Sequence, residues 1–294
     1  MTLVIGRIFD NKIRVTSDSK IMDSTVVRNN PLLGNIKSII INPQICLSFA
    51  GNVFFAEKLL QLYYSGKISK LDELIYECLK INRESNDETD FMIASLMNGE
   101  RKLIKISGYQ LYQGIQNAWI GDNIAFNNYQ EHYHSDKSNN DEFSKMESAL
   151  ASVIKDEKIE SVSDFQISVE TVYHDNMKGY FFVYATKTSM SYAKQTFKVT
   201  NENFLVIPFG GPEIGAYGIT YLRSIHILKP AIAIHFPQGK FGVLFYPQNS
   251  YNKAIIRKIE DGEEFIKEIK EEFGIPLEGL IAKNGDSLKY IINK

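Results

Sequence analysis

The chain has 294 residues, of which 44% are hydrophobic and 23% charged, so it can bury a substantial core as one large domain or two small ones and is not compositionally disordered. A formal net charge of -2 gives no electrostatic case for nucleic acid or an anionic membrane surface as partner. Cys46 and Cys78 are too few for a disulfide framework or a zinc site, no basic segment leads into an apolar stretch at the N-terminus, and the longest apolar runs are of strand length, so a reducing cytoplasm is the expected compartment.

Residues 2–8 and 12–18 are strand-like runs joined at Asp10-Asn11, a hairpin turn signal without the usual glycine. Residues 29–34 form a loop around Pro31, and 37–41 and 45–49 are a second strand pair turning at Asn42-Pro43. A helix is expected over 53–64, where Phe54, Phe55, Leu59, Leu60 and Tyr63 fall at helical spacing, and another over 70–82. The acidic stretch 84–90 reads as a loop. Strands follow at 91–97 and 102–106 with a turn at Asn98-Gly99, and short strands lie within 109–120. Residues 122–134 and 142–155 read as helices flanking a polar loop, and 166–172 and 179–186 as a further strand pair. This order, hairpins then helices then strands then helices then strands, is the one expected of an α+β fold with two stacked sheets and helices on both outer faces. Further on, 204–208, 231–236 and 241–246 are strand-like with a turn at 237–239, and 261–273 is an amphipathic helix.

The chemistry-bearing pattern begins at Thr2. Aminopeptidases remove an initiator Met before a side chain this small, which would leave a free α-amine beside the Thr2 hydroxyl. Such an amine has a pKa of roughly 7.7–8.0 and can take the hydroxyl proton, activating a poor nucleophile. A hairpin brings Asp18, 16 residues on, near the start of the first strand. Lys37 begins the third strand, and a buried Lys beside a Thr hydroxyl would lower the hydroxyl pKa if a carboxylate compensates its charge. Gly51, at a strand-to-helix junction, is placed to aim a backbone N–H at a developing oxyanion.

Through Thr2, the Asp18-Ser19-Lys20 triplet, Lys37 and the Ala50-Gly51 pair, the chain resembles the proteasome β-subunit family of N-terminal-nucleophile hydrolases and its bacterial relatives. The resemblance covers about the first 190 residues. It implies a four-layer αββα sandwich over residues 1–190, with 191–294 a C-terminal α/β extension that either continues the core sheets or forms an appended unit. It implies Thr2 as nucleophile, an Asp18–Lys37 ion pair, Gly51 as oxyanion donor and Asp175, in Tyr173-His174-Asp175 ahead of Gly179, as a further site carboxylate. It also implies an apolar specificity pocket lined by Phe49 and Val53, a peptide or protein substrate, self-assembly into a homo-oligomer, and no metal or organic cofactor. Lys20 is either part of the substrate site or a solvated strand-end charge. Three positions depart from the family. Asp122, after Ile120-Gly121, and Lys178 stand where serines are usual, and as opposite charges they suggest a substitute ion pair. Phe55 stands where an Asp is common. A fold of this kind that has lost catalysis remains the alternative.

Other features read as structural. His132 and His134, two residues apart, point to different faces of a helix and do not suggest a metal site. His226 and His235 are isolated. The glycine run at 210–215 lacks the Lys-Ser/Thr of a phosphate loop.

Overall fold

The computed structural model describes residues 2–19, 36–137, 140–156, 158–162, 166–185, 197–201, 203–207, 220–236, 240–248, 254–283 and 287–292. Met1, Lys20, the expected loop at 29–34, the glycine run at 210–215 and the turn at 237–239 lie outside them.

The first hairpin is β1 (Leu3–Phe9) and β2 (Lys12–Ser17). Asp10 and Asn11 take φ of 47° and 58°, so two residues that tolerate the left-handed region replace the missing glycine. β3 (Ser38–Asn42) and β4 (Ile45–Gly51) form the second pair, followed by α1 (Val53–Tyr64) and α2 (Leu71–Glu84). Next come β5 (Thr89–Ser95), β6 (Lys102–Ser107), β7 (Gln110–Ile115) and β8 (Asn117–Gly121). The run expected only as short strands is therefore two strands, and they belong to different sheets. The crossing falls at Gln116, whose carbonyl accepts the Ile8 N–H at 2.8 Å.

α3 (Asn123–Ser135) and α4 (Glu142–Lys155) pack against each other, and β9 (Ile167–His174) and β10 (Gly179–Tyr184) follow. The first sheet runs β10-β9-β2-β1-β8 and the second β3-β4-β5-β6-β7, with every pairing antiparallel. β1 shows how the period of two positions the layers. Val4 packs into the cluster shared with Leu47, Phe91, Ile93 and Ile104 of the second sheet, while Leu3 and Ile5 face Tyr129, Met146, Leu150 and Val153 of α3 and α4. α1 and α2 contact β5 of the second sheet, and α4 contacts β2 of the first.

The C-terminal strands pair among themselves. β11 (Phe197–Asn201) and β12 (Asn203–Ile207) make a two-stranded ribbon. β13 (Thr220–Ser224), β14 (Ile232–Phe236), β15 (Phe241–Phe245), β16 (Ile255–Arg257), β17 (Leu277–Lys283) and β18 (Ser287–Ile292) make a six-stranded sheet in the order β16-β15-β14-β13-β17-β18. Among the described residues none of these strands extends either five-stranded sheet. Ile232, Ile234 and Val243 join the main core, while Ala231, Ala233 and Leu244 face Phe265, Ile266 and Ile269 of α5 (Gly262–Phe273). Arg223 ties this sheet to the first: it pairs with Glu278 and donates to the Tyr184 carbonyl at 2.8 Å.

Candidate functional site

Thr2 precedes β1 and is fully buried. Its Oγ1 donates a hydrogen bond to Asp18 Oδ1, and that carboxylate oxygen also accepts the Leu3 N–H at 3.0 Å. The Asp18 N–H donates to the Leu3 carbonyl at 3.4 Å, so the hairpin is clasped just beyond its ladder and the carboxylate is held against the start of β1. One buried carboxylate oxygen thus meets both a hydroxyl and an amide, an arrangement that polarises the Thr2 O–H.

The other side of Thr2 is a strand-to-helix junction. The Asp122 N–H donates to the Thr2 carbonyl at 2.8 Å. Gly121, at φ 106°, packs so closely that a Cβ there would lie 1.9 Å from that carbonyl oxygen. The Asp122 carboxylate then caps α3, accepting the N–H groups of Ile124 and Ala125 at 2.6 and 2.9 Å. The same design recurs at Gly51. Its φ is 107°, a Cβ would lie 1.9 Å from the Glu88 carbonyl oxygen, and Asn52 caps α1 through the Phe54 N–H. The two junctions meet: Ala50 Cβ lies 3.3 Å from where a Cβ on Gly121 would be. Gly51 therefore stands one residue from the Gly121 contact that seats Thr2.

Lys37 is 2% exposed, with its Nζ 5.1 Å from the centroid of the Phe49 ring and its carbonyl accepting the Phe49 N–H at 3.0 Å. Next to it, the hydroxyls of Ser17, Ser38 and Ser48 form a buried chain at 3.2 and 3.0 Å that links β2, β3 and β4. Phe49 is buried beneath Lys37, and Val53 is half-buried against the main core. Cys46 shares this interior; burial pushes its thiol up to about 12, so it is no thiolate nucleophile.

Asp175 is not brought to this end. Ser17 pairs with Ile167, so the Thr2 end of the sheet is where β9 begins, whereas Asp175 follows its last residue, His174. Eight residues of strand separate the two by roughly 25 Å. Lys178 shares that distant turn, and Asp122 serves as the α3 cap, so the substitute ion pair suggested by their charges does not form. Gln166, which immediately precedes β9, does lie on the near side: its Nε2 donates to Thr16 Oγ1 at 3.2 Å and to the Glu147 carbonyl at 3.2 Å. Among the described residues no cluster of His, Cys, Asp and Glu could hold a metal ion, and no helix is long and apolar enough to cross a membrane.

Neither a protein-family model nor a curated protein matches the sequence. Among solved structures the chain is similar to eukaryotic HslV from Trypanosoma brucei, at 12% sequence identity and a TM-score of 0.43, over 57% of this chain and 98% of that one.

Proposed function

We propose that this chain is a threonine-type N-terminal-nucleophile hydrolase of the proteasome β-subunit kind, cleaving peptide or amide bonds once Met1 is removed. The observation that supports it is the meeting of Thr2 with Asp18 on one side and with the Gly121 junction, beside Ala50-Gly51, on the other. In this reading the two five-stranded sheets and their helix pairs are a four-layer αββα core over residues 1–190. Residues 191–294 are an added unit, and the protein works as a homo-oligomer in the cytoplasm. The freed α-amine takes the Thr2 Oγ1 proton as the oxygen attacks the substrate carbonyl. The oxyanion is stabilised by the Gly51 N–H. Collapse of the tetrahedral intermediate expels an amine that carries the proton away, and water, deprotonated by the α-amine, hydrolyses the Thr2 ester. Lys37, compensated by Asp18, lowers the hydroxyl pKa. Phe49 and Val53 line an apolar specificity pocket, and Lys20 is a further candidate for substrate binding. Asp175 has no part in this proposal.

One observation favours a second reading, a non-catalytic binding or scaffold protein with the same core: Thr2 is 0% exposed and its hydroxyl is already spent on Asp18. N-terminal sequencing and intact mass, before and after a threonine-directed electrophile, separate the two. The nucleophile reading expects a chain beginning at Thr2 that gains one probe adduct. It also expects loss of the adduct in Thr2→Ala and labelling slowed about 100-fold in Asp18→Asn, the scale of acid–base assistance. A folded chain that retains Met1, or begins at Thr2 and takes no probe, establishes the scaffold reading instead.

A further inference from the structure

β7 ends the second sheet, with β6 on one side and, among the described residues, no strand on the other. An open edge offers its N–H and C=O groups to any other strand, and native edges are blunted by charge, proline or cover. The other edges of the two five-stranded sheets are covered. β3 is buried from Ser38 to Ile41. β8 buries Ala118 and Ile120, and its Trp119 stacks on Phe126 at 4.2 Å. On β10 the Phe182 N–H donates to the Pro43 carbonyl at 2.8 Å, and the Tyr184 carbonyl accepts from Arg223.

β7 has none of these protections. Its sequence, Gln110-Leu111-Tyr112-Gln113-Gly114-Ile115, carries no charge and no proline. A sandwich strand buries every second residue, yet five of these six are exposed and the sixth is half-buried. Leu111 is 39% and Tyr112 41% exposed, on opposite faces, and Tyr109 in the preceding turn is 49% exposed. Lys105, cross-strand from Tyr112, belongs to the inner neighbour β6 and lies over the Trp119 ring, 4.7 Å from its centroid. The register shift in this pair falls beyond Tyr112, so 110–112 are regular. Gly108 and Tyr109, both at φ 62°, make a two-residue turn closed by the Ser107–Gln110 pair. The closing pair of such a turn is hydrogen-bonded, so by alternation the N–H and C=O of Leu111 point away from β6.

We propose that β7 is the contact by which two copies of this chain pair, edge to edge and antiparallel about a two-fold axis at Leu111, so that their second sheets run on as one. Charge favours a second copy as the occupant. About that axis Leu111 meets Leu111 and Gln110 meets Tyr112, so no like charges are opposed within the strand. The net charge of -2 adds little repulsion between copies. The pairing concerns assembly alone and holds whether or not Thr2 is a nucleophile.

Sedimentation velocity of the full chain measures the assembly. Each copy has one β7, so two-fold pairing doubles the mass that the rest of the surface builds. Leu111→Lys and Leu111→Glu each oppose two like charges across the axis and are expected to halve that mass. An equimolar mixture of the two variants opposes Lys to Glu and is expected to restore it. Should the variants fail to fold, the wild-type chain carries the test through the Leu111 amide. Pointing away from β6, that amide is expected to exchange about tenfold or more slowly in the paired chain than after dilution, while the Ile93 amide within the sheet keeps its rate. A wild-type chain that stays monomeric to roughly 100 μM overturns the proposal, as does a Leu111 amide that is unprotected at every concentration. An unchanged mass in both variants overturns it too, and so does halving without recovery in the mixture, because the edge then meets some other surface. Thr2 labelling in the same samples keeps the two readings apart: a chain that pairs through β7 yet never labels defeats the nucleophile and leaves the pairing standing.

Discussion

A Cβ added at Gly121 would meet the Thr2 carbonyl oxygen at 1.9 Å, and the φ of 106° is one that L side chains rarely adopt. The Glu88 carbonyl oxygen stands at the same distance from a Cβ on Gly51. Both obstacles are backbone, which cannot rotate away. Gly121→Ala and Gly51→Ala are therefore each expected to lose about 3 kcal/mol or more of unfolding free energy, seen as a lower denaturation midpoint. Gly66 is the control. It has φ 76° but nothing within 4 Å of an added Cβ, so Gly66→Ala carries only the backbone strain, about 1 kcal/mol. Equal losses at all three positions would show that the close approach to Thr2 and Glu88 contributes nothing. The sequence alone marked Gly51 as a strand-to-helix junction, and Gly121 entered only through the family resemblance. It did not reveal that the two junctions touch, which depends on how two sheets stack. Asp175 is misplaced for a related reason. Its motif looked right locally, but the register Ser17↔Ile167 puts the Thr2 end of the sheet at the beginning of β9.

At the scale of elements, Asn82 shows how a segment read as an acidic loop became an ordered junction. Fully buried near the end of α2, its Nδ2 donates to Asp87 Oδ1 at 2.9 Å and to the Thr89 carbonyl at 2.8 Å. Its Oδ1 accepts the Tyr109 N–H at 3.0 Å, and Asp87 Oδ1 also accepts the Gly108 N–H at 2.6 Å. One amide thus joins α2, the start of β5 and the β6–β7 turn. Asn82→Leu takes the buried Thr89 carbonyl's donor and the Tyr109 N–H's acceptor away and is expected to cost about 2–4 kcal/mol. Asn82→Asp, which keeps the acceptor but loses both donors and sets a second carboxylate beside Asp87, is expected to fare no better at neutral pH and to improve as pH falls. Thermal unfolding of the two variants across pH checks this. Elements with clean periodicity, such as α1, α4 and the first four strands, were legible because local pattern and burial agree there. β13 and β17 were not. Arg223 and Glu278 interrupt the apolar alternation of these strands, and their inward charges make sense only once the strands pair and the two side chains meet.

On the scale of the whole molecule, the six-stranded sheet carries its own acid sensitivity. His235 on β14 is 1% exposed, with Nε2 3.0 Å from the Ile259 carbonyl and its ring stacked on Phe265 of α5. Donation to that carbonyl leaves Nδ1 without a proton in the neutral ring. Burial lowers its pKa first of all, with the Ile259 carbonyl and Asp261 opposing. The unfolded chain therefore binds a proton at His235 at a higher pH than the folded one. Stability from this residue is complete above the ordinary value of about 6.5, declines as pH falls through that value toward the folded one, and levels off below it. Glu147, raised first by burial and opposed by Arg14, has the opposite sign: its contribution is full below the ordinary carboxylate range and is lost as pH rises through its folded value. A global melting curve sums the two, so the local signal is needed. The protection factors of the Ile232 and Ile234 amides, exchange corrected for its intrinsic pH dependence, are expected to fall between about pH 7 and pH 5 in the wild-type chain, and His235→Phe, which cannot titrate, is expected to remove that fall. If the variant keeps the wild-type slope, the acid sensitivity of this sheet lies with its carboxylates and not with His235.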